Sequence, residues 1–339
     1  MPHATAALLL LVLTLLGASP PAMAQLDPSG AWPGGSVRPI RPEIASSSPF
    51  GLADRAAGKA PATPADVRFY PARGASPEKP APAVILLHGA GGVSERREGR
   101  YAQEFAAQGV AVAVIDVFGA RGGGRFVERL IKTTEAMALA DAFATLRWLE
   151  GRPDVDARRT ALIGFSYGGM SAVFSAYRQV VDAYAPPVPF AAHVAFYGPC
   201  IARFDDPSTT GAPVMMLWGE RDAIIDAAAC ETLAADLRRG GSRVEIHRYD
   251  ARHRWDGSGR TWRAPTHIAD CRLRVASDGT VHDENSFFTM TGPASRALIL
   301  GLCANGDGYL IGGDEAVRIR SNAALADFLN PILFPERES

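Results

Sequence analysis

From residue 67 onward, short apolar runs alternate with stretches whose apolar positions recur at helical spacing. Ala83–His88 (AVILLH) and Val110–Asp116 (VAVAVID) are unbroken apolar runs that stop at turn or polar residues. Such runs belong to strands covered on both faces, where no side of the strand meets water. Val67–Tyr70, Thr160–Phe165, Ala191–Tyr197, Pro213–Trp218 and Arg243–Tyr249 are further strand candidates. Between them lie helical segments: Glu98–Gln108, Thr134–Gly151, Gly168–Arg178 and Ala227–Arg239. In the second of these, Met137, Ala140, Ala144 and Trp148 fall on one face, and the fourth is closed by Gly240-Gly241. Asn322–Leu329 reads as a last helix. Strand–helix alternation of this kind predicts an α/β fold with a mostly parallel central sheet and helices on both faces.

Two stretches lack the rhythm. Residues 25–66 are rich in Pro, Gly, Ala and Ser without a sustained period, and read as an irregular arm ahead of a catalytic-size domain spanning 67–335. Residues 255–318 contain no clear strand–helix unit and read as an insertion before the last helix. Within it, Cys271–Ala276 and Thr280–His282 flank Ser277-Asp278-Gly279, a hairpin signal. At the start of the chain, Ala6–Leu16 is apolar apart from Thr14 and is followed by Ala22-Met23-Ala24. A run this short, with a small-x-small pattern behind it, predicts a signal peptide over 1–24 cut after Ala24, hence a secreted or periplasmic protein without stable membrane insertion.

Composition narrows the function classes. The 339 residues carry 35 Lys+Arg against 36 Asp+Glu, a net charge of −1, which excludes a polybasic nucleic-acid binder. With 47% hydrophobic and 21% charged residues the chain is an ordinary packed globular protein. Cys200, Cys230, Cys271 and Cys303 fit an exported chain, and none forms C-x-x-C. Of the possible pairings, sequence neighbours, Cys200–Cys230 and Cys271–Cys303, is the simplest, and the second pair would staple the insertion. No clustered His/Cys/Asp spacing points to a metal, and no cofactor is expected. No pattern fixes an oligomeric state.

The candidate chemistry centres on Gly164-Phe165-Ser166-Tyr167-Gly168-Gly169, between the apolar run Ala161-Leu162-Ile163 and a helical segment. In a chain with 34 glycines, G-x-S-x-G alone is weak. Placed between a buried strand and a helix it reads as a nucleophile elbow, whose sharp turn lifts the serine hydroxyl above the sheet. A second glycine-rich turn, His88-Gly89-Ala90-Gly91-Gly92, follows the strand Ala83–Leu87. Acyl transfer needs backbone N–H groups around the developing oxyanion. The N–H of Tyr167 supplies one, and Ala90 or its neighbour Gly91 the other. Acid and base then follow the serine in chain order. Asp222, just past Pro213–Trp218, is the acid candidate, with Glu220 and Asp226 as rivals; Asp226 also reads as a helix N-cap. His253, in the loop after Arg243–Tyr249, is the base candidate. His247 and His193 lie in strands, and His267 and His282 lie in the insertion.

With these residues in place, the chain resembles the α/β-hydrolase superfamily and, within it, the dienelactone hydrolase family. The resemblance covers about residues 67–255 plus the last helix. Its carriers are Leu87-His88-Gly89, Asp116-Val117-Phe118-Gly119, the Ser166 elbow, Trp218-Gly219-Glu220-Arg221-Asp222 and Tyr249-Asp250-Ala251-Arg252-His253. The resemblance implies a triad of Ser166 as nucleophile, Asp222 as orienting acid and His253 as general base. Founding members of that family use a cysteine nucleophile, and this chain has serine. Secreted relatives look similar around Cys200 and Cys230, which supports pairing those two. The expected function is a serine hydrolase acting on small-molecule esters or lactones. A small peptidase or amidase with the same triad, and a non-catalytic binding protein on the same fold, are the alternatives.

Overall fold

The computed structural model describes residues 25–257 and 259–335; the signal peptide expected over 1–24 lies outside them. The arm carries a strand β1 (Ile44–Ser47), a short helix α1 (Leu52–Ala56) and a strand β2 (Ala62–Ala65). The main body runs β3 (Val67–Tyr70), β4 (Ala81–Leu87), α2 (Arg100–Ala107), β5 (Ala111–Ile115), α3 (Phe126–Lys132), α4 (Glu135–Glu150), β6 (Val155–Phe165), α5 (Tyr167–Phe174) and α6 (Arg178–Tyr184). It continues with β7 (Ala192–Phe196), β8 (Ala202–Phe204), β9 (Val214–Gly219), α7 (Ala227–Arg239) and β10 (Val244–Tyr249). The insertion holds β11 (Trp262–Ala264), β12 (Leu273–Val275), β13 (Val281–Asp283), β14 (Thr289–Met290), α8 (Pro293–Cys303) and β15 (Tyr309–Ile311), and α9 (Glu315–Leu333) follows.

Seven strands form the central sheet in the order β10-β9-β7-β6-β4-β5-β3. All neighbouring pairs are parallel except β3 with β5. All seven residues of β4 are buried, and they alternate between two apolar layers. Ala83, Ile85 and Leu87 pack with Phe143 and Leu146 of α4 and Ala172 of α5. Val84 and Leu86 face Phe105 of α2 and Leu325 and Leu329 of α9. Helices therefore cover both faces, which is why these strands carry no polar alternation. This is the α/β-hydrolase architecture. No helix among the described residues is long and apolar enough to cross a membrane.

Three boundaries differ from the sequence reading, each because tertiary contacts replace periodicity. The stretch 25–66, expected to be irregular, contains an antiparallel β1–β2 pair. Its order comes from outside: Ser46 Oγ donates to Asp141 Oδ1 of α4 at 2.7 Å, and Arg121 donates to the Ser47 carbonyl at 3.0 Å. The helix expected over 168–178 ends early, at Phe174, where the Ser175 hydroxyl meets His193 Nδ1 at 2.7 Å, and a separate helix, α6, begins at Arg178. The last helix, expected at 322–329, begins at Glu315, so the insertion ends before residue 318. Asp314 caps it by accepting from the Val317 N–H. Arg318 hid this start in the sequence, because it is buried against Glu104 instead of lying on a polar face.

The insertion has the expected β12–β13 hairpin, in register Leu273↔Asp283. It is not a separate body. Strand β12 pairs parallel with β8 of the main body, and β11 pairs with β15. Helix α8 was not legible as a helix: Ile299 is buried, but Leu298 and Leu302 are apolar and exposed, which blurs its apolar stripe.

Candidate active site

Ser166 sits between β6 and α5 with φ 53° and ψ −111°, a conformation costly for a residue with a Cβ. The turn closes only because its flanks are glycines. A Cβ on Gly164 would lie 1.9 Å from the Gly168 carbonyl oxygen, and one on Gly168 would lie 2.4 Å from that of Leu87. The serine N–H donates to the Phe196 carbonyl at 2.8 Å, which ties the turn to β7.

Asp222 and His253 leave the C-terminal ends of β9 and β10, two neighbours in the sheet. His253 Nδ1 lies 2.7 Å from Asp222 Oδ2, and Nε2 lies 3.0 Å from Ser166 Oγ. All three side chains are buried, with Ser166 8% and His253 4% exposed. The carboxylate is also held by the Ile224 N–H, at 3.3 Å. Its rivals are elsewhere: Glu220 is exposed, and Asp226 caps α7 through the N–H groups of Ala228 and Ala229. The other histidines stand apart from this relay. His193 is bonded to Ser175, His247 lies 3.6 Å from Glu245, and His282 meets Thr289. His267 lines the cavity described below.

Tyr167 is the first residue of α5, so its N–H has no intrahelical partner and points out of the helix end. Ala90 follows β4 in the adjacent turn and, like Tyr167 and Ser166, borders the cavity. That turn is braced by His88, whose Nε2 accepts from the Val117 N–H at 3.1 Å while Nδ1 donates to the Gly89 carbonyl at 2.8 Å. Burial pushes the His88 imidazole below its usual range and keeps it neutral, as that bonding pattern requires.

A buried polar group stands behind the relay. Arg97 pairs with Glu98 at 2.5 Å and lies over the Phe165 ring, 5.0 Å from its centroid. Tyr197 donates to Asp256 Oδ1 at 2.5 Å, and its ring packs edge-on against His253 at 4.7 Å. Burial raises the Asp256 carboxyl above its usual range. On the other side of the imidazole, Tyr309 of β15 approaches edge-on at 5.2 Å, and the Gly312 N–H donates to the His253 carbonyl at 3.1 Å. The sequence reading missed Tyr197, Asp256 and Tyr309. Tyr197 and Asp256 lie close to noticed motifs, but Tyr309 lies far from His253 along the chain and carried no signal.

An apolar cavity of about 190 Å³ opens from Ser166. Its walls come from α4 and α5, from the arm and from the insertion. The insertion is fastened there by Arg296, whose guanidinium makes a two-pronged ion pair with Glu135 of α4 at 2.9 and 3.0 Å. Cys200 is bonded to Cys230 and Cys271 to Cys303. The first bridge joins the loop between β7 and β8 to α7, the helix that follows the loop carrying Asp222.

Residues 70–261 match the sequence profile of the dienelactone hydrolase family. Among solved structures, the chain is similar to a dienelactone hydrolase-like promiscuous phosphotriesterase from metagenomic libraries, at 18% identity and a TM-score of 0.50, over 87% of this chain and 99% of that one. It is also similar to a putative dienelactone hydrolase from Klebsiella pneumoniae, at 22% identity and a TM-score of 0.44, over 62% of this chain and 88% of that one. Esterase 2 of Thermogutta terrifontis with propionate bound matches at 19% identity and a TM-score of 0.45, over 57% of this chain and 82% of that one. No curated protein sequence matches the chain.

Proposed function

Because the chain belongs to the dienelactone hydrolase family, a family of carboxylic ester hydrolases, we propose that it cleaves esters or lactones through Ser166, His253 and Asp222. The observation that carries this reading is the unbroken line of contacts from Asp222 Oδ2 to His253 Nδ1 to Ser166 Oγ, at 2.7 and 3.0 Å. In the reaction, Ser166 Oγ attacks the carbonyl carbon while His253 Nε2 takes its proton. Asp222 accepts from Nδ1–H, which fixes the tautomer and favours the imidazolium. The carbonyl oxygen becomes an oxyanion facing the N–H groups of Tyr167 and Ala90. Collapse breaks the carbon–oxygen bond to the alcohol, which leaves with the proton from His253. Water then attacks the acyl-serine, with His253 again as base, and the acid departs.

A fluorophosphonate probe tests this reading directly. It should label the wild-type protein on Ser166 and leave Ser166→Ala unlabelled. Labelling that persists in the variant, or none in the wild type, overturns the assignment. Matched ester and amide substrates should be turned over with the ester strongly preferred. We also read the protein as exported: the two disulfides accord with an oxidising compartment. N-terminal sequencing of exported material should begin at Gln25.

A further inference from the structure

Among the described residues, four non-glycines have positive φ, and three of them gather at the relay: Ser166 at 53°, Tyr197 at 41° and Arg254 at 63°. A residue with a Cβ holds such a conformation only where surrounding contacts over-determine it. The elbow accounts for Ser166. The other two lie at either side of one buried bond, from the Tyr197 hydroxyl to Asp256 Oδ1 at 2.5 Å.

Tyr197 follows β7, which lies between β6, the strand of the serine, and β9, the strand of the acid. The carbonyl of Phe196 before it accepts from the Ser166 N–H, and its own N–H donates to the Leu217 carbonyl of β9 at 2.6 Å. Its backbone is thus tied to both neighbours, and its ring reaches the base loop, 4.7 Å from His253 and 4.9 Å from Trp255. Asp256 is three residues beyond His253. The turn at Arg254, closed by the Gly257 N–H on the Arg254 carbonyl at 3.1 Å, folds the chain back so that the Asp256 carboxylate meets the Tyr197 hydroxyl. Arg97 Nη1 lies 3.5 Å from the Tyr197 oxygen, which leaves the hydroxyl proton for Asp256. The insertion holds the same loop by the His253 and Trp255 carbonyls; this bond is its tie to the strand next to the serine. Tyr197 and Asp256 lie outside the cavity wall.

Resting on the esterase reading above, we infer that Tyr197 and Asp256 are positioning residues: their hydrogen bond pins the His253 loop to the end of β7 and holds the imidazole in line between Asp222 and Ser166. The pin acts through geometry. Without it, the loop loses its tie to the serine's side of the sheet and Nε2 drifts from Ser166 Oγ, while the cavity keeps its walls.

The test uses p-nitrophenyl acetate, with rates expressed per serine labelled to completion by the fluorophosphonate, so that misfolded molecules are not counted. Tyr197→Phe keeps the ring and removes the bond. Its kcat should fall about 10- to 100-fold, the loss that a misplacement of about 1 Å brings. KM should stay nearly unchanged, because acylation and deacylation both use His253 and the cavity is intact. The double variant Tyr197→Phe/Asp256→Leu leaves no buried carboxylate without its donor, so it should melt closer to the wild-type temperature than Tyr197→Phe yet stay as slow. Asp256→Asn keeps an oxygen to accept the hydroxyl and should be much faster than Asp256→Leu. Wild-type kcat in Tyr197→Phe, a double variant that regains rate together with stability, or Asp256→Asn as slow as Asp256→Leu overturns the pin and leaves the esterase reading standing. No turnover of any ester by folded wild-type protein overturns the esterase reading and the pin together.

Discussion

At the scale of single residues, the elbow concentrates strain in one serine. Ser166→Ala should reduce ester turnover by about 10⁶-fold, the loss typical of a triad nucleophile, with the fold retained. More than a few per cent residual rate in purified variant would sink the assignment. Asp222→Asn should cost about 10⁴-fold by presenting the imidazole with the wrong hydrogen-bonding partner, and Glu220→Gln should cost little. Gly168→Ala should fail to fold stably, because its Cβ would meet the Leu87 backbone at 2.4 Å; melting at the wild-type temperature contradicts this. That Ser166, Asp222 and His253 come together was legible in the sequence, since strand ends and chain order leave few positions for such residues. Tyr197 and Tyr309 were not. Their role is contact with an imidazole, and contact across the chain has no local signature.

Among elements, the five inner strands of the sheet were legible because burial on both faces leaves short apolar runs bounded by turn residues, although β6 begins earlier than its apolar run, at Val155. Apart from the β12–β13 hairpin, the insertion was opaque for the opposite reason. Its strands are two or three residues long, and their partners, β8 for β12 and β15 for β11, are distant in sequence. Helix α8 is held to α4 by Arg296 and Glu135, both largely buried. Glu135→Ala strands that guanidinium. We expect a loss of about 3–5 kcal/mol in denaturant unfolding, with the insertion loosening first. Hydrogen exchange that accelerates evenly across the molecule, instead of in 260–311, would count against this. Replacing both residues with apolar ones of similar size should recover much of the loss, since a buried pair contributes little beyond its matched halves.

For the whole molecule, two buried histidines couple stability to pH. His193 is fully buried in β7, and burial pushes its imidazole down to about 3; His88 moves in the same direction. Unfolded chains bind the proton at the usual imidazole value of about 6.5, so between these limits the unfolded state holds more protons. Stability is therefore complete above that value and is lost as pH falls, at up to about 1.4 kcal/mol per unit for each such histidine. Urea midpoints measured from pH 7 to pH 4 should drop steadily, and His193→Gln should flatten the slope. Equal slopes for both proteins would remove His193 as a cause. The insertion also rejoins the body where it left: the Gly312 N–H donates to the His253 carbonyl, and the Asp314 N–H donates to the Trp255 carbonyl at 2.7 Å. Entry and exit are thus stitched side by side at the rim of the sheet. A segment spliced in at one point can be exchanged as a cassette, with loop-closure entropy changing only slowly with its length. Chimeras that swap residues 260–311 between relatives should then carry the donor's cavity wall, provided that Arg296, which pairs with Glu135, and Tyr309, which packs on His253, are kept.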